Sequence, residues 1–362
     1  MSFLHVSLIR VAILTTLALS AGCSRAATIP DFVASEEVIT RVAYASCLKQ
    51  HKPQPAWDAV NRFGPQIFVL MGDNVYVDAT TAPAFEAAYR ALEAVSGFQR
   101  LRANARLLAT WDDHDFGRND AGSEFPAKAT AQQAFLSFLK PPIDSPLHAQ
   151  TGVYSSYIQG PPGRRVQFIL LDLRTFRDPW RSLVHRGYAP DPGTDPTMLG
   201  EAQWKWLRER LADPADVRVI VSSIQFLTTE QPYERWGRFP RERERLLALL
   251  TESRERGLVI LSGDRHFAEI SVLETGSKKL VEVTASGFNA GVKRAVKWPN
   301  SYREGEAFFA DNFGTLSIDW ADGTVLAEVR DEDGEVRLSQ PIKLRRERHG
   351  THQGEQGLSG SR

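Results

Sequence analysis

The stretch RLLATWDDHDFGRND, residues 106–120, changes character half-way along. Its first part is a short apolar run of the kind that forms a buried strand. Its second part, from Thr110 to Asp120, packs four aspartates, a histidine and an asparagine into eleven residues. Carboxylates clustered beside a core raise the free energy unless positive charge compensates them. Three other core-like runs end in the same manner: VITRVAYAS (38–46) ends at Cys47, QIFVLMGD (66–73) opens GDNVY (72–76), and LVILSGD (258–264) opens GDRH (263–266). In layered α/β folds, ligands bind beyond the carboxyl ends of the strands. The four runs are therefore expected to deliver their terminal side chains to one rim.

Taken singly, each motif has a plainer reading. Gly-Asp after a strand makes a turn, a cysteine at a strand end fills a core, and a lone histidine is a satisfied polar residue. Their shared position relative to a strand is what points to a site. Together they supply thiolate, carboxylate, phenol, amide and imidazole, a set that suits a dinuclear metal centre with a bridging carboxylate. Metal ions are then the missing positive charge. The chain has no G-x-S-x-G elbow, no phosphate-binding G-x-x-x-x-G-K-[ST] loop and no H-E-x-x-H motif.

The rest of the pattern is that of an α/β protein. FEAAYRALEAV (85–95), AQQAFLSFL (131–139), LGEAQWKWLRERLADP (199–214) and PRERERLLALLTESRERG (240–257) read as helices. In the third, Trp204, Leu207 and Leu211 line one face; in the last, Pro240 sits near the start and Gly257 is the expected stop. VQFILLD (166–172) and VRVIVSS (217–223) read as buried strands. Five shorter strands follow residue 264: EISVLE, LVEVTAS, GTLSIDW, TVLAEVR and VRLSQPIKL. With no repeats and no Pro/Gly-rich linker, one domain over 39–344 and a disordered tail over 345–362 are expected.

Of 362 residues, 42% are hydrophobic and 24% charged, and Lys+Arg and Asp+Glu both number 44. That balance gives no global field to recruit nucleic acid or an anionic membrane. Residues 1–22 read as a signal peptide, with the apolar stretch VAILTTLAL closed by small residues, and 23–38 as a tether. Cys23 after Ala21-Gly22 resembles a bacterial lipobox, which implies lipidation of its thiol; an ordinary secretory signal is the other reading. Either way the mature protein is expected outside the cytoplasm, in the cell envelope or secreted. Any membrane contact is expected only through the lipid. Cys47 is the one other cysteine.

GDNVY, WDDHDFGRND, LDLRTFR, LGEAQWKWL and GDRH, in this order over residues 40 to 320, resemble the PhoD-like (alkaline phosphatase D) family of calcineurin-like metallophosphatases. The resemblance implies a four-layer α/β/β/α sandwich with two mixed β-sheets. It implies phosphomonoester or phosphodiester hydrolysis by a monomer at a site described as iron with calcium; zinc, manganese and magnesium stay open. Carried over, it makes Asp73 the bridging carboxylate and Cys47 and Tyr76 ligands of the ferric ion. Asn119 becomes a ligand of the second metal, and Asp264 and His266 complete the set. His114 would act as acid at the leaving group, steered by Asp113. Arg265, with Arg118, Arg174 and Arg177, is expected to hold phosphate oxygens, each against the alternative of a surface salt bridge. With only the tether between Cys23 and the first strand, the extra N-terminal β domain of longer members is not expected here. The alternative class is a non-catalytic metal-binding surface lipoprotein that keeps the fold.

Overall fold

The computed structural model describes residues 36–179, 181–183, 187–189, 195–276 and 278–345. The expected signal peptide, Cys23 with most of the tether, and the tail beyond residue 345 lie outside the described residues. Among those residues, no helix is long and apolar enough to cross a membrane.

The chain begins β1 (Arg41–Ala45), α1 (Ala56–Phe63), β2 (Ile67–Met71), α2 (Ala82–Glu93), α3 (Ser96–Asn104), β3 (Arg106–Thr110), α4 (Asp113–Phe116) and α5 (Lys128–Leu139). It continues β4 (Ser155–Gln159), β5 (Val166–Leu170), β6 (Arg181–Leu183), β7 (Gly187–Ala189), α6 (Gly200–Leu211), β8 (Val217–Val221), α7 (Pro240–Glu252) and β9 (Gly257–Ser262). The five strands expected to be shorter are instead the longest, eight residues each: β10 (Ala268–Thr275), β11 (Lys278–Ala285), β12 (Asn312–Asp319), β13 (Thr324–Asp331) and β14 (Val336–Lys343).

One six-stranded sheet has the order β14-β13-β12-β1-β2-β3, the other β10-β11-β9-β8-β5-β4. Both are mixed. In the first, β1, β2 and β3 are parallel and β12 joins β1 antiparallel. In the second, β11, β9, β8 and β5 are parallel, with β10 and β4 antiparallel at the edges.

Period-2 alternation sends each strand's side chains into two different cores. Val42, Ile67 and Val69 meet Phe168, Val219 and Val259 between the sheets. On the outer face of the first sheet, Ala43, Phe68 and Leu70 pack with Trp57, Phe85, Phe98 and Phe135 of the helices. On the outer face of the second, Ile169, Ile220 and Ile260 pack with Trp204, Leu207, Leu246 and Leu250. Three apolar layers between four layers of secondary structure make the expected α/β/β/α sandwich. The parallel strands are buried on both faces, which is why they read as unbroken apolar runs.

In α6, Leu211 is partly buried and packs against the same core as Trp204 and Leu207, as expected, with Arg210 buried beside them. One helix reading needs correction. α7 starts at Pro240 as expected but ends at Glu252. Gly257 instead opens β9, where a Cβ would lie 2.4 Å from the Leu344 side chain.

Candidate metal centre

The carboxyl ends of β1, β2, β3, β8, β9 and β11 converge, and an isolated parallel bridge between Ser46 and Ser286 stitches the two sheets there. Two glycines permit the close approach. A Cβ on Gly72, whose φ is +101°, would lie 2.5 Å from Asp112 Cβ; one on Gly263 would lie 2.3 Å from Ser46 Oγ. Seven described non-glycine residues have left-handed φ: Cys47, Asp73, Asp78, Asp120, Asp264, His266 and Lys140. Only Lys140, which caps α5, lies away from these strand ends. Each such residue costs about 1–3 kcal/mol and persists where the surroundings over-determine it, which is the pattern of a functional site.

The floor of the site is Cys47, Asp73, Tyr76 and His266. Asp73 Oδ2 accepts from Tyr76 Oη at 3.0 Å and lies 3.5 Å from Cys47 Sγ, which is also 3.1 Å from Ser286 Oγ. Tyr76 Oη is 3.1 Å from His266 Nε2, and His266 Nδ1 is held by Ala290 O at 2.8 Å. That second bond fixes the ring and aims Nε2 at the cluster, the usual device for orienting a ligating histidine. Burial acts to raise the Cys47 thiol, but His266 and the hydrogen bonds from it and Ser286 bring it down to about 7. Cys47 in turn lifts His266 to about 9.

The wall is acidic. Burial, and then the charges of Asp113, Cys47, Asp112 and Asp115, push the Asp73 carboxyl well up. Burial acts to raise the Asp113 carboxyl, but Arg174, His114 and the Asp120 N–H, 2.6 Å from Oδ2, hold it below the usual aspartate range. Burial also raises Asp112, Asp264 and Asp115, the last to about 8. Asp115 Oδ2 accepts from Asn74 Nδ2 at 2.5 Å, tying the turn after β2 to the turn after β3.

Several expected site residues lie elsewhere than proposed. Arg174 is fully buried, donating Nε to Asp112 at 2.6 Å and forming a bidentate pair with Glu234 at 3.1 and 2.8 Å. Arg177 is also buried and donates to the backbone carbonyls of Asp120 and Asp178. Arg118 is exposed and pairs with Glu124 at 2.7 Å. None of the three lines the cavity above the carboxylates, so their expected phosphate contacts are withdrawn. Asp113 does not steer His114, whose Nδ1 lies 3.0 Å from Asp78 Oδ1 while its ring stacks on Tyr76 at 4.1 Å. Adjacent residues on a helical turn do not face one another, so the partner comes from the loop after β2. Asn119 does reach the cavity, with its amide bonded to Asp120 at 2.6 Å. Asp120 and Glu234 were not singled out in the sequence, although Asp120 ends its most informative stretch.

The arrangement fits metal ions. Ligand atoms of Cys47, Asp73 and His266 lie within 4.8 Å of one another; so do those of Asp73, Asp113 and His114, and those of Asp113, Asp120 and Glu234. Asp73 is shared by the first two groups and Asp113 by the last two. Asp112 Oδ2 and Asp113 Oδ1 are buried without a hydrogen-bond partner among the described residues. Asp73, Asp112, Asp113, Asp115, Asp120, Asp264 and Glu234 outnumber the arginines described near them, Arg174, Arg177, Arg235 and Arg265. A thiolate, phenol and imidazole on one side suit a softer or trivalent cation, and the carboxylates on the other suit a hard one.

The model of PhoD-like phosphatases matches residues 42–319. The chain belongs to the PhoD-like phosphatase family. Alkaline phosphatase D of Bacillus subtilis (strain 168) is 24% identical over 246 residues, covering 61% of this chain and 42% of that protein. The chain thus spans less than half the length of that curated relative. Among solved structures, one of PhoD superposes with a TM-score of 0.68 at 19% identity, over 87% of this chain and 70% of the other. A dimetal phosphatase from Danio rerio gives 0.53 at 14% identity, over 85% of this chain and 100% of the other. GAP50, the anchor in the inner membrane complex of Plasmodium, gives 0.53 at 12% identity, over 86% and 91%. At these identities the structural likeness is one of fold. Within the PhoD-like frame, the buried acids are the feature that ties this chain to metal chemistry.

Proposed function

We propose that this protein hydrolyses phosphoesters at a dinuclear metal centre. The observation that carries the reading is the excess of buried carboxylate at the strand ends, with Asp73 common to two adjacent ligand groups. Cys47, Tyr76 and His266 would hold one cation, ferric iron by the family resemblance. Asp113, Asp264 and Asn119, with the newly placed Asp120, would hold the second, calcium by the same resemblance, and Asp73 would bridge. Bound cations would supply electrophilic charge for the phosphate oxygens and lower the pKa of a water.

The protein's own groups do the rest. Arg265, in the cavity wall and 8% exposed, has an Nε with no hydrogen-bond partner among the described residues. It is the cation placed to donate to a phosphate oxygen. His114 is held by Asp78 at Nδ1, and its ring lines the same cavity. It would donate a proton from Nε2 to the leaving oxygen. The residues before Cys23 would be removed and Cys23 acylated, placing the enzyme in a bacterial cell envelope; mass spectrometry of the native N-terminus decides that point.

The other reading is a binding protein that keeps the fold, a use in line with that of GAP50, the anchor in the inner membrane complex of Plasmodium. A panel of mono- and diesters, assayed with and without chelator on metal-loaded protein, separates the two. Chelator-sensitive turnover is expected. A folded, two-metal sample inactive on every ester would overturn the enzyme reading.

A further inference from the structure

The acidic cavity, about 390 Å³, has one aromatic wall. The Arg265 guanidinium carbon lies 4.2 Å from the ring centre of Tyr233 and 5.1 Å from that of Trp298. The two rings meet edge to face, 5.6 Å apart at 82°, and so form a corner. Trp298 is backed by Phe267 at 5.1 Å, which stacks on Phe309 at 5.4 Å.

The corner is assembled from two separate loops, and both are anchored. Ser301 donates its N–H and its hydroxyl to Glu230 at 2.5 and 2.8 Å, joining one loop to the other. Glu269, 1% exposed, accepts from Asn300 at 2.9 Å, Arg303 at 2.5 Å and Gln225 at 2.6 Å, fixing the Trp298 loop to the sheet. Yet Tyr233 is 42% exposed, one of three large hydrophobic side chains described as exposed. A ring held in place yet 42% exposed, on the cavity wall beside Arg265, is built to receive something.

We infer that Tyr233 and Trp298 form a stacking platform, and that the phosphoester this site selects carries a flat, π-faced group, as nucleotides do. The inference rests on the phosphoesterase reading and deepens it to a substrate class. Arg265 pairs with Asp264 at 3.2 Å and touches both rings, so its side chain links the carboxylate rim to the platform. A phosphate at the rim therefore places the organic part of its ester against the corner. A flexible aliphatic alcohol gains little from two fixed rings, whereas a nucleobase stacks on one and meets the edge of the other.

The test titrates metal-loaded protein, by calorimetry, with non-hydrolysable phosphonate analogues of adenosine 5′-monophosphate and ribose 5-phosphate. The adenosine analogue is expected to bind about 10-fold more tightly, the scale of one base stacked on an aromatic side chain. Trp298→Ala and Tyr233→Ala should each shrink that ratio, and Trp298→Phe should keep most of it. The ratio cancels any change in phosphate affinity caused by disturbing Arg265, and Tyr233→Ala, at an exposed ring, carries the test where Trp298→Ala fails to fold. Equal affinities in the wild type, or a ratio that survives both alanine variants, would overturn the platform. Because binding is read without turnover, a protein that hydrolyses nothing but keeps the ratio loses the enzyme reading and retains the platform. One that hydrolyses esters with no ratio does the reverse.

Discussion

The second sheet carries buried charge at both of its ends, and the two ends are built on opposite principles. At the amino ends of β8, β9 and β11, Glu255 lies 2.5 Å from Lys278 Nζ and 3.2 Å from Arg218 Nη1, with all three side chains at most 5% exposed. Lys278 also donates to Leu250 O and Ser253 Oγ, and Arg218 to Gln167 Oε1 and two backbone carbonyls. The anion there has its cations, and the cations have their acceptors. At the carboxyl ends the acids outnumber the arginines, several backbones are left-handed, and among the described residues Asp112 Oδ2 and Asp113 Oδ1 are buried without a hydrogen-bond partner; Glu255 Oε2 also lacks a hydrogen bond but has the Arg218 guanidinium 3.2 Å away. Cavity size points the wrong way, since clefts of about 530 and 780 Å³ at the balanced end exceed the 390 Å³ of the acidic one. Charge balance, not volume, separates a structural ion cluster from a site that needs cations from outside.

If that contrast is right, substitutions at the two ends should move activity and stability in opposite ways. Asp73→Asn should give the largest effect: turnover falls by more than the about 10–100-fold typical of residues that only support ligands, and metal content drops. The metal-free variant should nevertheless melt higher than the metal-free wild type, because an amide is spared the cost that burial and the neighbouring charges impose on the Asp73 carboxylate. Calorimetry on both apo proteins checks this. An apo variant that melts lower would mean that the acids are already compensated within the protein. Cys47→Ser should remove one metal equivalent and, if that ion is ferric, bleach its visible band. Retention of both metals and most of the rate would make the thiol structural.

His114→Asn probes chemistry rather than charge balance. As a proton donor His114 should contribute about 10²–10⁴-fold to kcat, with metal content unchanged. Its position within 4.8 Å of ligand atoms of Asp73 and Asp113 gives the experiment its edge, since metal lost in parallel with rate would make it a ligand. Asp78→Asn, which touches only the ring, should lower kcat less.

Glu255→Gln is the matching experiment at the balanced end. Removing the shared anion strands Lys278 and Arg218 in the interior, which should cost about 3–5 kcal/mol of stability. Turnover per folded molecule should be unchanged, because the substitution lies at the opposite end of the strands. Denaturant melts and a rate normalised to folded protein read both. A loss of rate without loss of stability would break the division between the ends.

The acidic end was largely legible in the sequence because buried strands announce themselves as apolar runs and the residue after each run has a predictable place. The same logic marked the central strands of both sheets, while the four-layer arrangement came from the family resemblance. It failed where adjacency in sequence stood in for adjacency in space. Asp113 precedes His114, yet the imidazole turns to Asp78. Arg174 and Arg177 sit in a family motif, yet burial commits them to Glu234, Asp112 and backbone carbonyls. Glu234 follows no strand and carries no motif, so nothing local marked it. α1 and α3 were missed for a different reason: AWDAVNRF and SGFQRLRAN are short, and the second contains a glycine and the polar or charged Gln99, Arg100, Arg102 and Asn104. Their stability comes from packing Trp57 and Phe98 against the first sheet rather than from local propensity.

The smallest expected effect concerns Glu282, an acid on β11 between the two ends. It is fully buried, and among the described residues no cation forms an ion pair with it. Burial raises its carboxyl above the usual glutamate range, while the N–H groups of Phe226 and Leu227, each at 2.7 Å, work in the opposite direction. An unfolded glutamate ionises near about 4.3. Below that pH the group is protonated in both states and its neutral form is fully accommodated in the fold. As pH rises through the folded pKa, the unfolded chain gains by ionising and the contribution is lost. Glu282→Gln cannot titrate, and any penalty from its amide facing one of the two N–H groups is the same at every pH. The melting temperature of the variant minus that of the wild type should therefore rise as pH increases from weakly acidic to neutral. Other titrating groups are common to both proteins and cancel in the difference. A difference that stays flat across that range would mean that the two N–H groups fully offset burial, and that a lone acid can be held in this sheet without a cation, weakening the argument that unbalanced acids call for metal.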